Sequence, residues 1–267
     1  MATETLTISE RYVTMSHGRT HYFEAGSGHP LILLHGSGIE QGGADFLRSL
    51  PVLAGSFRVL APDFVGWPPG DTFANIASFP YLVDFVREFQ DALAIKSSHI
   101  VGVSMGGWIA ALLAYESPER VDKVVIGGNP GLHGSPNRRM ANWKPPADEE
   151  VSRWVQDATE GISIDGKTQI SDKLAKLHEA GVAEAFGRIM SHMADDANRK
   201  RYALDRRLPH LRVPALFLFG KTDGNVDQAE TWRELTPGSQ VLVVDAGHRM
   251  HIEAPELFAN SVAQFLK

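Results

Sequence analysis

Cysteine is absent from the 267 residues. Disulfides, thiolate catalysis and cysteine-based zinc sites are thereby excluded, and the composition fits a reducing compartment. Basic residues are not in excess: Lys and Arg number 26 against 32 Asp and Glu, a net charge of −6. That balance offers no phosphate-neutralising surface, so nucleic acid is not an expected partner. No apolar run approaches the roughly 18 residues of a membrane helix. The first residues, MATETLTISERYVTMSHGRT, lack a basic segment followed by an apolar one. The expectation is a cytoplasmic protein without membrane contact. Phosphate-loop and dinucleotide fingerprints are missing, and no third ligand accompanies His248 and His251 at metal-site spacing, so neither cofactor nor metal is expected. Internal repeats and low-complexity tracts are also absent.

What is present is the ordinary material of a globular core, with 43% hydrophobic and 22% charged residues. Short apolar runs recur: PLILLHG (Pro30 to Gly36), FRVLAPD (Phe57 to Asp63), SHIVGVS (Ser98 to Ser104), VDKVVIGG, VPALFLFG and SQVLVVDAG. Near-continuous apolar strands predict a mostly parallel sheet covered on both faces. RYVTM and THYFEAG alternate more, as an antiparallel edge pair does. Between most strands lie helical patterns: Leu82, Phe85, Val86, Phe89 and Leu93; Trp108, Ile109, Leu112 and Leu113; and Leu257, Phe258, Val262, Phe265 and Leu266, with Pro255 suited to a first helical turn. The fold class is α/β, with helices on both faces of the sheet.

One region breaks this rhythm. From about Asn129 to His210 no strand is expected; a loop-like stretch is followed by helix faces at Val151, Trp154, Val155 and Ala158, and at Val182, Phe186, Ile189, Met190 and Met193. The expected organisation is a core in two parts, 1–131 and 209–267, with a helical lid at 132–208 over the carboxyl ends of the strands, where open α/β sheets bind ligands.

Gly102-Val103-Ser104-Met105-Gly106 is a G-x-S-x-G placed between a strand and a helix. In that context the chain turns sharply and holds a strained serine at the edge of the sheet, with small residues two before and two after it. A serine hydroxyl needs a base, and the base needs orienting. His248, in a Gly-His turn before the last helices, is the candidate base. Asp223, just past the VPALFLFG strand, is the candidate acid; Asp227 falls where a helix should have begun and is expected to cap it. The oxyanion would be held by the backbone amides of Met105, at the helix start, and of Ser37, in the loop His35-Gly36-Ser37-Gly38. His35 is expected to buttress that loop. Gly36, Gly38 and Arg249 are candidate substrate-binding residues. Arg138, Arg139, Arg206 and Arg207 are further candidate anchors for a substrate carboxylate. Trp67, Trp143, Trp154, Met190 and Met193 could line an apolar cavity, with core packing expected for most of them.

The segments LLHGSG, RVLAPDFVG, GVSMGGWIAALLA, SPERVDKVVI, VPALFLFGKTD and AGHRMHIEAPELF resemble the α/β-hydrolase fold superfamily over nearly the full length. The resemblance implies a serine hydrolase with the order Ser104, Asp223, His248 and no cofactor. The HGSG loop and ADFLRSLPVLAGSFRVLAPDFVG are similar to the meta-cleavage-product hydrolases, which cut a carbon–carbon bond in vinylogous 1,5-diketo acids. That family usually has Asn where this chain has Val103, Trp where it has Arg249, and a Gly-Phe-Gly where it has Gly66-Trp67-Pro68-Pro69. The position after HGSG, often Pro, is Ile39. The differences at Val103 and Arg249 place hydrolysis of a carboxylic ester or lactone slightly ahead, with carbon–carbon hydrolysis second. A non-catalytic ligand receptor on the same fold is the third reading. The expected partner is a small, largely apolar substrate, and the sequence is compatible with a homo-oligomer.

Overall fold

The computed structural model describes residues 7–267, apart from 72, 74, 76, 129–130 and 133–137; of residues 138 and 139 it describes the backbone alone. The chain opens with an antiparallel hairpin, β1 (Ile8–Met15) and β2 (Gly18–Ala25). Then come β3 (His29–Leu34), a single turn α1 (Leu50–Leu53), β4 (Phe57–Pro62), α2 (Phe79–Ala92), β5 (Ser98–Val103), α3 (Met105–Glu116) and β6 (Val121–Gly127). Five helices follow: α4 (Arg138–Ala141), α5 (Asp148–Thr159), α6 (Gly166–Leu177), α7 (Val182–Ala194) and α8 (Asp196–Tyr202). The chain returns to the sheet with β7 (Ala215–Gly220), α9 (Ala229–Leu235) and β8 (Gln240–Val244), and ends with α10 (Met250–Glu253) and α11 (Pro255–Leu266).

The strands form one sheet in the order β1-β2-β4-β3-β5-β6-β7-β8. β2 runs antiparallel to both its neighbours, and β4 through β8 are parallel. Both faces of the central strands are covered, which is why they read as unbroken apolar runs. In β3, Ile32 and Leu34 join the core layer of α2 and α3, while Leu31 and Leu33 join that of α1 and α11, the two-residue alternation of a strand. β8 departs from the expectation. It is the edge strand, and Leu242 and Val243 are exposed; its apolar run reflects strand preference rather than burial on both faces.

The chain leaves β3 toward β4 on one side, then crosses to β5 on the other. The loops after β3 and β5 therefore diverge and open a crevice at the carboxyl edge of the sheet, the place where such sheets take ligands. Among the described residues no strand lies between β6 and β7; the insertion there is helical. The expected loop around Arg138–Ala141 contains the short helix α4 instead, and the start of that loop lies partly outside the described residues.

Candidate active site

The turn after β5 is built as the two glycines require. Ser104 has φ 57° and ψ −121°, a backbone conformation that non-glycine residues adopt only under strain. A Cβ on Gly102 would come within 2.1 Å of the Gly106 carbonyl oxygen, and one on Gly106 within 2.1 Å of that of Leu34. Ser104 N donates to Gly127 O at 2.8 Å, and Ser104 O accepts from Trp108 N at 3.1 Å. The turn is thus pinned to β6 on one side and to α3 on the other. Met105 is the first residue of α3, so its amide stands at the positive end of the helix, ahead of the first intrahelical bond.

Asp223 is buried at 3% exposure beyond the end of β7. Its Oδ2 accepts from His248 Nδ1 at 2.9 Å, and its Oδ1 accepts from Asn225 N at 3.0 Å and Asn225 Nδ2 at 3.1 Å. A proton fixed on Nδ1 leaves Nε2 with its lone pair, the form a general base needs. His248 and Ser104 line the same cavity, of about 860 Å³.

Two positioning residues escaped the sequence reading. Gly128 has φ +51°, and a Cβ there would meet Asp223 Oδ2 at 2.7 Å and His248 Nδ1 at 3.3 Å. The glycine pair that ends VVIGG was the available signal. Glu253, on α10, accepts from Gly247 N at 2.7 Å and from Arg249 N at 3.3 Å, bracketing His248 from both sides. Its signal was a carboxylate one helical turn beyond the histidine.

The loop after β3 supplies the opposite wall. Ser37 and Gly38 line the cavity; Gly36 is buried and is not in the wall. Gly36 O instead accepts from His35 Nδ1 at 2.8 Å, while His35 Nε2 accepts from Phe64 N at 2.9 Å. These two bonds fix the His35 tautomer. Complete burial pushes its pKa down to about 4, so it stays a neutral buttress. Trp67 Nε1 donates to Gly38 O at 2.8 Å, and Trp67 itself is fully buried. Glu40 also faces the cavity at 7% exposure, and burial raises its carboxyl pKa.

The insertion contributes Met140, Asn142, Trp143, Glu150, Trp154 and Met190 to the cavity wall. Trp143, Trp154 and Met190 are therefore cavity residues rather than only core, while Met193 is buried in the core. Arg249 lines the cavity, its guanidinium 4.7 Å from the Trp154 ring centroid; Trp154 Nε1 in turn donates to Asp45 Oδ1 at 2.8 Å. Arg206 and Arg207 are not in the wall. Arg207 turns back to Ala203 O at 2.7 Å. The side chains of Arg138 and Arg139 lie outside the described residues. His251 is buried against Phe46 and Phe258 and does not line the cavity. Asp227 is exposed in a 3-10 turn and caps no described helix; α9 begins after Gln228, without a side-chain cap.

A strained serine on a strand-to-helix turn, sharing a cavity with an imidazole oriented by a buried carboxylate, is the constellation of a serine hydrolase on an α/β sheet. The chain belongs to the alpha/beta hydrolase family, whose sequence pattern matches residues 31–261. It is 31% identical to the 2-hydroxymuconate semialdehyde hydrolase of Pseudomonas sp. strain CF600, over 93% of this chain and 90% of that protein. Among solved structures it is similar to the meta-cleavage product hydrolase CumD of Pseudomonas fluorescens IP01, with 28% identity, a TM-score of 0.74, and 96% and 97% of the two chains covered. It shares its fold, at 22% identity and a TM-score of 0.79, with the 2-hydroxy-6-oxo-6-phenylhexa-2,4-dienoate hydrolase BphD of Rhodococcus sp. strain RHA1, over 98% and 99% of the chains.

Proposed function

We propose that this chain hydrolyses a carbon–carbon bond in a vinylogous diketo acid of the kind formed by ring fission of aromatic compounds. The observation that carries this reading is the likeness, over 93% of the chain, to a hydrolase of 2-hydroxymuconate semialdehyde, joined to a cavity that holds Ser104, His248 and the cationic Arg249 and Lys144 together. On the sequence alone an ester or lactone stands first; that likeness leads us to reverse the order.

In this reading Ser104 Oγ attacks the carbonyl carbon next to the scissile bond, and His248 Nε2 takes its proton. Asp223 holds the ring and stabilises the imidazolium. The amides of Met105 and Ser37 receive the oxyanion, each such donor contributing about 2.7–4 kcal/mol to the transition state. The carbon–carbon electron pair leaves into the conjugated keto acid, and His248 returns the proton to carbon. Water then attacks the acyl-serine, with His248 again as base, and frees the carboxylic acid. The insertion, 132–208, serves as a lid that excludes bulk water. Val103 and Arg249 favour the second reading, an esterase or lactonase, because the polar and aromatic groups usual at those places in carbon–carbon hydrolases are missing.

The test is a paired assay of a ring-fission dienone and p-nitrophenyl acetate, with Ser104→Ala as the blank. Faster turnover of the dienone, lost in Ser104→Ala, is expected. Rapid ester hydrolysis with a silent dienone overturns the proposal in favour of the second reading. Neither substrate turning over, with Ser104 unreactive toward a fluorophosphonate, overturns both.

A further inference from the structure

The amino-terminal edge of the sheet carries a second cluster, at the opposite end of the strands from the cavity. His29 opens β3, His99 lies at the start of β5 and Asp122 at the start of β6. These strands are neighbours, so parallel pairing brings the three side chains to one place. One donor atom from each residue lies within 4.8 Å of the other two. His29 Nε2 and Asp122 Oδ2 are 2.8 Å apart, and the two imidazole rings are 4.6 Å apart between centroids.

His99 is the unusual member. It is 8% exposed, and its Nδ1 has no hydrogen-bond partner among the described residues. An orphaned buried ring nitrogen carries a desolvation cost that packing alone does not offset. Lys123, the adjacent cation, is engaged elsewhere, donating to Phe265 O at 3.0 Å.

We propose that His29, His99 and Asp122 bind a divalent transition-metal ion of borderline softness, with Zn²⁺ as the reference case, clamping β3, β5 and β6 together. Two imidazoles and one carboxylate suit such ions, with water completing the shell. Donors around a tetrahedral ion lie roughly 3.3 Å apart, so the widest gap must close by no more than about 1.5 Å. The closure falls to His29 and Asp122, which are both exposed.

The experiment uses tag-free, metal-stripped full-length protein titrated with Co²⁺ and Zn²⁺. It is read by calorimetry, by the visible bands of bound Co²⁺ and by thermal unfolding. One ion per chain is expected, with imidazole-type Co²⁺ bands and a rise in Tm, since an ion that binds only the folded state stabilises it. His29→Gln and Asp122→Asn alter only exposed side chains, and His99→Phe keeps the ring packing against Phe57. Each is expected to weaken binding by at least about ten-fold, the loss already seen when a group that merely supports a ligand is removed. No binding in the parent protein, or undiminished binding in His29→Gln and Asp122→Asn, overturns the site. The latter result would place the ion elsewhere, for example on His248.

Discussion

The hydrogen bond of 2.9 Å between His248 and Asp223 makes a demand on a single proton. The carboxylate is fully supplied with donors: His248 on one oxygen and both nitrogens of Asn225 on the other. Asp223→Asn keeps the shape but can turn its amide nitrogen toward His248. The imidazole proton then moves to Nε2, and the base that the proposed mechanism needs is lost. A fall in kcat of about 10⁴-fold is expected, as amidation of the orienting acid causes in another serine enzyme, with circular dichroism and KM little changed. A rate near that of the parent would assign the acid elsewhere. These residues were legible because chemistry restricts them: a serine between glycines, a glycine–histidine turn, an aspartate past a strand. Gly128 and Glu253 were not, because their roles lie in what a Cβ would strike and in backbone amides from a neighbouring turn. Those are properties of the assembled fold.

At the scale of elements, strands β3 to β8 stood out as near-continuous apolar runs, and helices α2, α3, α5, α7 and α11 by apolar periodicity. α6 did not, and the reason is physical. It buries only Gln169 and Lys173, so no apolar stripe marks it. Lys173 Nζ donates to Gln41 O at 2.6 Å and to Pro68 O at 3.1 Å, and Gln169 Nε2 donates to Glu10 Oε1 at 2.8 Å. A helix of the insertion is thereby docked on the core by polar contacts. One of them holds Gln41, which lines the cavity. Lys173→Met preserves the stem but orphans the buried Pro68 carbonyl and removes the donor to Gln41 O, a cost of about 1–3 kcal/mol. A lower urea midpoint and faster hydrogen exchange in α6 are expected, together with a raised KM. Unaltered exchange across α6 would show that the docking lies in other contacts. α1 and α9, of four and seven residues, were invisible for a simpler reason: one or two turns cannot establish a period.

For the whole molecule, three buried histidines set opposing dependences on pH. His21 is enclosed between Asp63, at 2.5 Å, and Glu10, at 2.8 Å. Burial opposes its charge, but the two acids win and raise its pKa to about 9. Its folded-state pKa exceeds the unfolded value of about 6.5, so its contribution is complete below that value and is lost as pH rises toward 9. His35 and His99 run the other way. Burial depresses both to about 4; the unfolded chain takes up protons below about pH 6.5 that the folded chain refuses. Their contribution is lost as pH falls from about 6.5 toward 4. Asp63 and Glu10, whose pKa values are lowered by their hydrogen bonds to His21, add to the loss only below the ordinary carboxylate range. Stability should therefore peak near pH 6.5, with each limb falling by the order of a few kcal/mol over two to three pH units. Urea midpoints measured from pH 4.5 to 9.5 test this. His21→Gln is expected to lower the peak and flatten the alkaline limb, because the group that loses its proton there is gone. An alkaline limb equally steep in His21→Gln would show that the buried carboxylates do not hold His21 in its charged form.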